Sequence, residues 1–135
     1  MLRLQDVMST EVKTISLGKS ADEAWEQMDT YNIHHLVVMD GGEVVGVISA
    51  RDLGGKKGAA QRRGIKVADV MHEKPVTAAP TDTIRQAANK LRGHGVGCLP
   101  VLEGRKVKGI LTITDCLELI GRGAEGHKTM PHKPR

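Results

Sequence analysis

The chain has 135 residues, the length of one ordinary domain, and a formal net charge of +4. It lacks Phe and has one Trp and one Tyr, so its core must be built from aliphatic side chains. No apolar run approaches the roughly 20 residues that a membrane-spanning helix needs, and the N-terminus shows no signal-peptide pattern. Both cysteines lie in apolar stretches, so no disulfide framework is expected. These features predict a cytoplasmic protein without a membrane partner.

The charge is distributed unevenly. Residues 1–53 carry four basic and nine acidic groups, whereas residues 54–66 carry five basic groups and no acidic one. A surface that binds nucleic acid usually concentrates basic groups on a folded face, often with stacking aromatic residues. Because this chain has almost no aromatic residues, nucleic-acid binding through the linker and tail is the least favoured hypothesis.

The sequence repeats itself with a period of 63 residues and without a gap. The shift places Asp6, Val7 and Met8 on Asp69, Val70 and Met71, and Asp52 on Asp115. Each half is too short to bury a core that would make it stable alone. The predicted organisation is a first repeat, a basic Gly-rich linker, a second repeat and a mobile basic tail, at residues 1–55, 56–65, 66–121 and 122–135.

Within each repeat the predicted order is β-α-β-β-α, an α/β (α+β) fold made twice. Short apolar strands at 12–15 and 76–78 precede helices that begin with capping boxes, Ser20 with Glu23 and Thr83 with Gln86. The buried faces of these helices are predicted to be Ala21, Ala24, Trp25 and Met28, and Ile84, Ala87, Ala88 and Leu91.

Two hairpins follow these helices, with strands at 36–39 and 44–49 and at 99–102 and 107–112. A second helix is expected after each hairpin, near Ala50 and near Thr114. The linker, with its glycines and basic residues, is predicted to be mobile.

The hairpins end on the same pattern: Gly, an aliphatic residue, any residue, Ser or Thr, two residues, then Asp. It occurs at 46–52 and at 109–115. Together with the repeated Asp-Val-Met and the Leu99-Pro100-Val101 strand, it resembles a stand-alone tandem pair of CBS domains, the Bateman module named for cystathionine β-synthase. The resemblance covers about residues 2–121. The first copy departs from it at Val37, where the family usually has proline, and at the adjoining pair His34 and His35.

The chemistry of the pattern can be stated from the residues alone. A hydroxyl at the strand end and a carboxylate three residues later can face one ligand. A carboxylate accepts hydrogen bonds from the vicinal hydroxyls of a ribose, and a hydroxyl with free backbone N–H groups suits a phosphate. The alternative is structural: Asp52 and Asp115 would only satisfy backbone donors in the first helical turn. Ser49 and Thr112 would then be ordinary strand-end hydroxyls.

The resemblance implies further ligand-binding residues. In similar proteins the Asp holds the ribose and aliphatic groups enclose the adenine. The positions carried over are Val12, Thr14 and Ile33 in the first copy and Val76, Thr77 and Val96 in the second. His34 and Arg51 are the candidates for phosphate contact in the first copy, where the second has Gly97 and Thr114. The alternatives are core packing for the apolar residues and solvation for Arg51.

No catalytic or metal pattern is visible. Adjacent His34 and His35 would point to opposite faces of a strand, and no histidine pair or cysteine has a zinc spacing. Cys98 and Cys116 lie in apolar surroundings, which raise a thiol pKa and make it inert. The sequence therefore predicts a non-enzyme without a cofactor or metal.

The functional expectation is a regulatory sensor. It would bind an adenosine-containing ligand (AMP, ADP, ATP or S-adenosylmethionine) in the cleft between the repeats and transmit occupancy to a regulated protein of unknown identity. The family resemblance also implies a homodimer. A lid formed by the basic linker is a further hypothesis. The alternative is a protein-interaction or assembly module with vestigial pockets.

Overall fold

The structure is a computed structural model that describes residues 1–129 and the side chains of residues 1–122. The end of the predicted basic tail, residues 130–135, lies outside the described residues. The elements, in chain order, are α1 (Leu4–Val7), β1 (Thr14–Ser16), α2 (Ala21–Tyr31), β2 (His35–Asp40), β3 (Glu43–Ser49), a 3-10 turn (Gly55–Lys57), α3 (Ala59–Arg62), α4 (Val67–Val70), β4 (His72–Glu73), α5 (Ile84–His94), β5 (Cys98–Glu103), β6 (Lys106–Thr112) and α6 (Ile113–Thr129). This confirms the predicted α/β class.

The chain forms two compact units whose limits differ from those of the repeats. One unit is Lys13–Pro75, and the other combines Met1–Val12 with the described residues from Val76 onward. Each unit therefore takes its opening segment from the other repeat. We name these units the central unit and the terminal unit.

The central unit contains a four-stranded sheet in the order β1-β2-β3-β4. β1 is parallel to β2, and β3 is antiparallel to both of its neighbours. Residues from the helices and from both sides of the linker fill its core, namely Ile15, Ala21, Ala24, Met28, Leu36, Val38, Ile48, Leu53 and Val67.

The terminal unit repeats this order, with a hairpin of the same length and shorter outer pairings. β5 and β6 form the hairpin, Ala78 pairs in parallel with Val101, and Ser9 pairs in antiparallel with Ile110. The strand predicted at 76–78 is thus reduced to a single bridge. In the first copy the N–H of Val37 donates to the Lys13 carbonyl, but its counterpart Pro100 has no N–H, and beyond the bridge the N–H of Ala79 donates to the Asp82 carboxylate at 2.9 Å. The core is formed by Leu4, Met8, Ala78, Ala87, Leu91, Leu99, Val101, Leu111 and Cys116.

Both predicted capping boxes are confirmed. The Ser20 hydroxyl accepts from the N–H of Glu23 at 3.0 Å, and the Thr83 hydroxyl accepts from the N–H of Gln86 at 3.1 Å. In return, the N–H of Ser20 donates to the Glu23 carboxylate, which holds the pKa of Glu23 below its ordinary value. The buried faces are as predicted except at Ala88, which is exposed.

The helix predicted near Ala50 is not formed, whereas the one predicted near Thr114 is α6. After β3 the chain makes a single turn, in which the N–H of Leu53 donates to the Ser49 carbonyl at 3.3 Å. Gly54 and Gly55 then adopt φ values of 86° and 68°, in the left-handed region that ends a helix. The second repeat has Leu117 and Glu118 at these positions, and there the helix continues.

The linker contains the 3-10 turn and α3, and Arg62 holds it against α2. Its guanidinium lies over the Trp25 ring, 4.2 Å from the centroid, and Nη1 donates to the carbonyls of Leu53 (2.8 Å) and Gly55 (2.7 Å). The residue is 5% exposed, with the Asp22 carboxylate 3.8 Å from its Nε. A buried guanidinium with these partners anchors the linker to α2.

We expect Arg62→Ala to lower the free energy of unfolding by about 2–4 kcal/mol, since it removes the cation–π contact and leaves two carbonyls without their donor. The measurement is urea denaturation followed by circular dichroism. The matched control is Arg63→Ala, because Arg63 is exposed and its replacement should change the stability by less than about 0.5 kcal/mol. Equal stability of the two variants would contradict the anchoring role of Arg62.

Candidate ligand-binding site

A hydroxyl–carboxylate pair lies at the end of the hairpin in the central unit. Ser49 is the last residue of β3 and Asp52 lies in the following turn. The N–H of Ser49 donates to Asp52 Oδ2 at 2.8 Å, and the N–H of Asp52 donates to Ser49 Oγ at 3.2 Å. The Asp52 side chain is 15% exposed. The two side chains are therefore held together at the surface.

The terminal unit contains the same pair. The N–H of Thr112, at the end of β6, donates to Asp115 Oδ2 at 2.9 Å, and the N–H of Asp115 donates to Thr112 Oγ1 at 3.1 Å. Both aspartates thus accept the backbone hydrogen bonds that the structural alternative predicts for them. A carboxylate offers about four acceptor positions, and the backbone N–H takes one of them.

A histidine distinguishes the first pair from the second. His72 Nε2 lies 3.0 Å from Asp52 Oδ1, and the His72 side chain is 67% exposed. His72 reaches this place because β4 pairs with β3, with His72 opposite Val47. No motif in the sequence marked His72 as a site residue. The repeat aligns the two opening segments with each other. It does not show that each opening segment pairs with the hairpin of the other repeat.

The helix-to-strand junction lies next to the pair in each unit. Ile33 and Val96 follow the left-handed ends of α2 and α5 and pack partly buried against the cores. The carbonyl of His34 accepts from the N–H of Ala50 at 2.9 Å, and the carbonyl of Gly97 accepts from Ile113 at 3.0 Å. These bonds tie the aliphatic junction to the turn that carries the carboxylate.

Thr14 and Thr77 are equivalent positions of the two repeats, and a helix side chain contacts the backbone of each. The Thr14 carbonyl accepts from Gln27 Nε2 at 3.0 Å, and the Thr77 carbonyl accepts from Lys90 Nζ at 2.8 Å. Thr14 is exposed and Thr77 is half-buried. Their backbones are therefore fixed by side chains of α2 and α5.

The candidate residues divide between the two units. His34 and Arg51 are exposed, and they lie in the central unit with the other first-copy candidates, except for Val12. Val12 belongs to the terminal unit. The central unit holds Thr14, Ile33, His34, Ser49, Arg51 and Asp52, and the terminal unit holds Val12, Val76, Thr77, Val96, Thr112 and Asp115.

Among the described residues, no group of three or more His, Cys, Asp or Glu side chains is arranged to hold a metal ion. Within the same residues, no helix has the length and apolar character that crossing a membrane requires. Burial raises the pKa of the Cys116 thiol, and the neighbouring Asp115 carboxylate adds to the effect. A raised pKa makes the thiol a poor nucleophile.

Comparison with curated proteins gives relatives of two kinds. A CBS domain-containing protein of Dictyostelium discoideum is 30% identical over 130 residues, which cover 87% of this chain and 90% of that protein. The L-aspartate semialdehyde sulfurtransferase of Methanosarcina acetivorans is 34% identical over 121 residues, but these are 88% of this chain and 24% of the enzyme. The chain therefore spans about a quarter of that enzyme's length.

Comparison with solved structures gives the same fold. The CBS domain pair of protein MJ0100, in complex with 5′-methylthioadenosine and S-adenosyl-L-methionine, matches with a TM-score of 0.81 and 26% identity, over 90% of this chain and 98% of that chain. The family model of the CBS domain matches residues 4–53 and 67–122. The repeat, the fold and these matches together show that the chain belongs to the CBS domain family, as a tandem pair.

Proposed function

We propose that this chain is a regulatory module that binds an adenosine-containing ligand at one or both hydroxyl–carboxylate pairs and transmits the occupancy to a partner protein. The observation that carries the proposal is the duplication of the pair with the same hydrogen bonds, Ser49 with Asp52 and Thr112 with Asp115. The MJ0100 domain pair, which binds 5′-methylthioadenosine and S-adenosyl-L-methionine, supports this ligand class.

The geometry suits a nucleoside. In each pair, the backbone N–H that donates to Oδ2 fixes the direction of the carboxylate without using all its acceptor positions. The vicinal hydroxyls of a ribose can then donate to it. Ile33 and Val96, tied to the same turns, supply apolar surface for the adenine ring. Val12, Thr14, Val76 and Thr77 are proposed to complete this surface.

We propose that the two sites differ in their affinity for phosphate. The exposed side chains of His34 and Arg51 belong to the first copy, where the second has Gly97 and Thr114. A guanidinium can hold a phosphate by two hydrogen bonds. The first site is therefore the better candidate for AMP, ADP or ATP, whereas the second suits an uncharged or cationic ligand.

The mode of action follows from linkage. A ligand changes a partner only if it binds two conformations of the module with different affinities.

We also propose that the module acts in the cytoplasm, without catalysis or a resident cofactor, and as a homodimer. An apolar stripe on α6 supports the dimer, because Ile113, Leu117 and Ile120 are 45%, 61% and 74% exposed at spacings of four and three residues.

We expect saturable binding in titration calorimetry with AMP, ATP or S-adenosylmethionine. Replacement of the ribose-binding carboxylate, Asp52→Ala or Asp115→Ala, should weaken binding at its own site by about tenfold or more, the effect of losing hydrogen bonds to a charged group. Asp40→Ala is the control, since Asp40 is exposed in the first hairpin. A folded parent chain that binds none of the three ligands would contradict the proposal.

The phosphate role of Arg51 has its own test. Arg51→Ala should weaken ATP binding by roughly fivefold to tenfold and leave adenosine binding unchanged, because only ATP presents phosphate to the guanidinium. The control is Lys106→Ala, which removes an exposed cation of the second hairpin. If the Arg51→Ala chain binds ATP as tightly as the parent, Arg51 has no role in phosphate binding.

A further inference from the structure

The carboxylate of Asp52 is engaged on both of its oxygens. Oδ2 accepts from the N–H of Ser49 at 2.8 Å, and Oδ1 lies 3.0 Å from His72 Nε2. Only 15% of the Asp52 side chain is exposed. The imidazole therefore stands where a ribose hydroxyl would approach Oδ1.

The repeat provides a comparison within the molecule. A shift of 63 residues places Ser9 on His72, and both residues pair with the corresponding hairpin strand, Ser9 with Ile110 and His72 with Val47. Ser9 is 6% exposed and carries only a hydroxymethyl group. The imidazole that faces Asp52 thus has no counterpart beside Asp115 at this strand position.

The imidazole can leave its place without disrupting the fold. Its side chain is 67% exposed, and the strand pairing of β4 involves the backbone rather than the ring. An ion pair or hydrogen bond between partly exposed side chains contributes little to stability. A ligand can therefore displace the ring at a small cost in affinity.

We infer that His72 gates the first site: the ribose of an adenosine-containing ligand takes Asp52 Oδ1 only after the imidazole has swung away. This inference rests on the proposed function and adds a specificity-determining residue to it. The gate lowers the affinity of the Asp52 site for the ribose. The Asp52 site therefore fills at a higher ligand concentration than it would without the imidazole.

The test uses 5′-methylthioadenosine, which carries the ribose diol but no phosphate, so that replacing the histidine cannot act through a phosphate contact. In an Asp115→Ala chain, which isolates the first site, His72→Ser should tighten binding by about threefold to fivefold, the range of a displaced surface pair. His72→Ala should give the same gain. His94→Ser, at an exposed histidine of α5, should change nothing.

The outcomes separate the two claims. Binding by the Asp115→Ala chain that neither His72 variant tightens, with both variants folded by circular dichroism, would overturn the gate and leave the proposed function standing. A parent chain that does not bind 5′-methylthioadenosine, AMP, ATP or S-adenosylmethionine would overturn the proposed function and the gate with it. A gain in both His72 variants, absent from His94→Ser, is the result that the gate predicts.

Discussion

The close approach of β4 to β3 is the contact on which the first candidate site depends. It requires glycine at position 46, because a Cβ there would lie 2.7 Å from the His72 carbonyl oxygen and 2.9 Å from Met71 Sδ. In the terminal unit a Cβ at Gly109 would lie 2.5 Å from Met8 Sδ. The glycine of the repeated pattern thus serves the pairing of the opening segment. That pairing in turn brings His72 to Asp52.

The pairing of the opening segment with the hairpin also explains how one repeated sequence gives two different sites. The Ser or Thr and the Asp keep their mutual hydrogen bonds in both units because these bonds are local, three residues apart. The residue that follows the Asp-Val-Met motif determines which side chain of the opening segment lies near each hydroxyl–carboxylate pair. That residue is His72 in one unit and Ser9 in the other. A gene duplication can therefore diverge in ligand response through this position while the fold is preserved.

Local signals in the sequence predicted much of the fold. Ser20 and Thr83 marked the helix starts because a capping box is complete within four residues, and the hairpins and α6 lay where predicted. The failures concern the chain after β3. Gly54 and Gly55 end the helix that was expected near Ala50, and Arg62 anchors a linker whose composition suggests mobility. The stacking of Arg62 on Trp25 joins residues far apart in sequence, so composition alone could not reveal it. The Asp52–His72 contact was missed for the same reason.

The most direct test is a crystal structure of the chain grown with 5′-methylthioadenosine. The two ribose hydroxyls should lie within hydrogen-bond distance of the Asp115 carboxylate, or of the Asp52 carboxylate with the His72 ring displaced. A ligand bound elsewhere, with both carboxylates touching only their present partners, would contradict it.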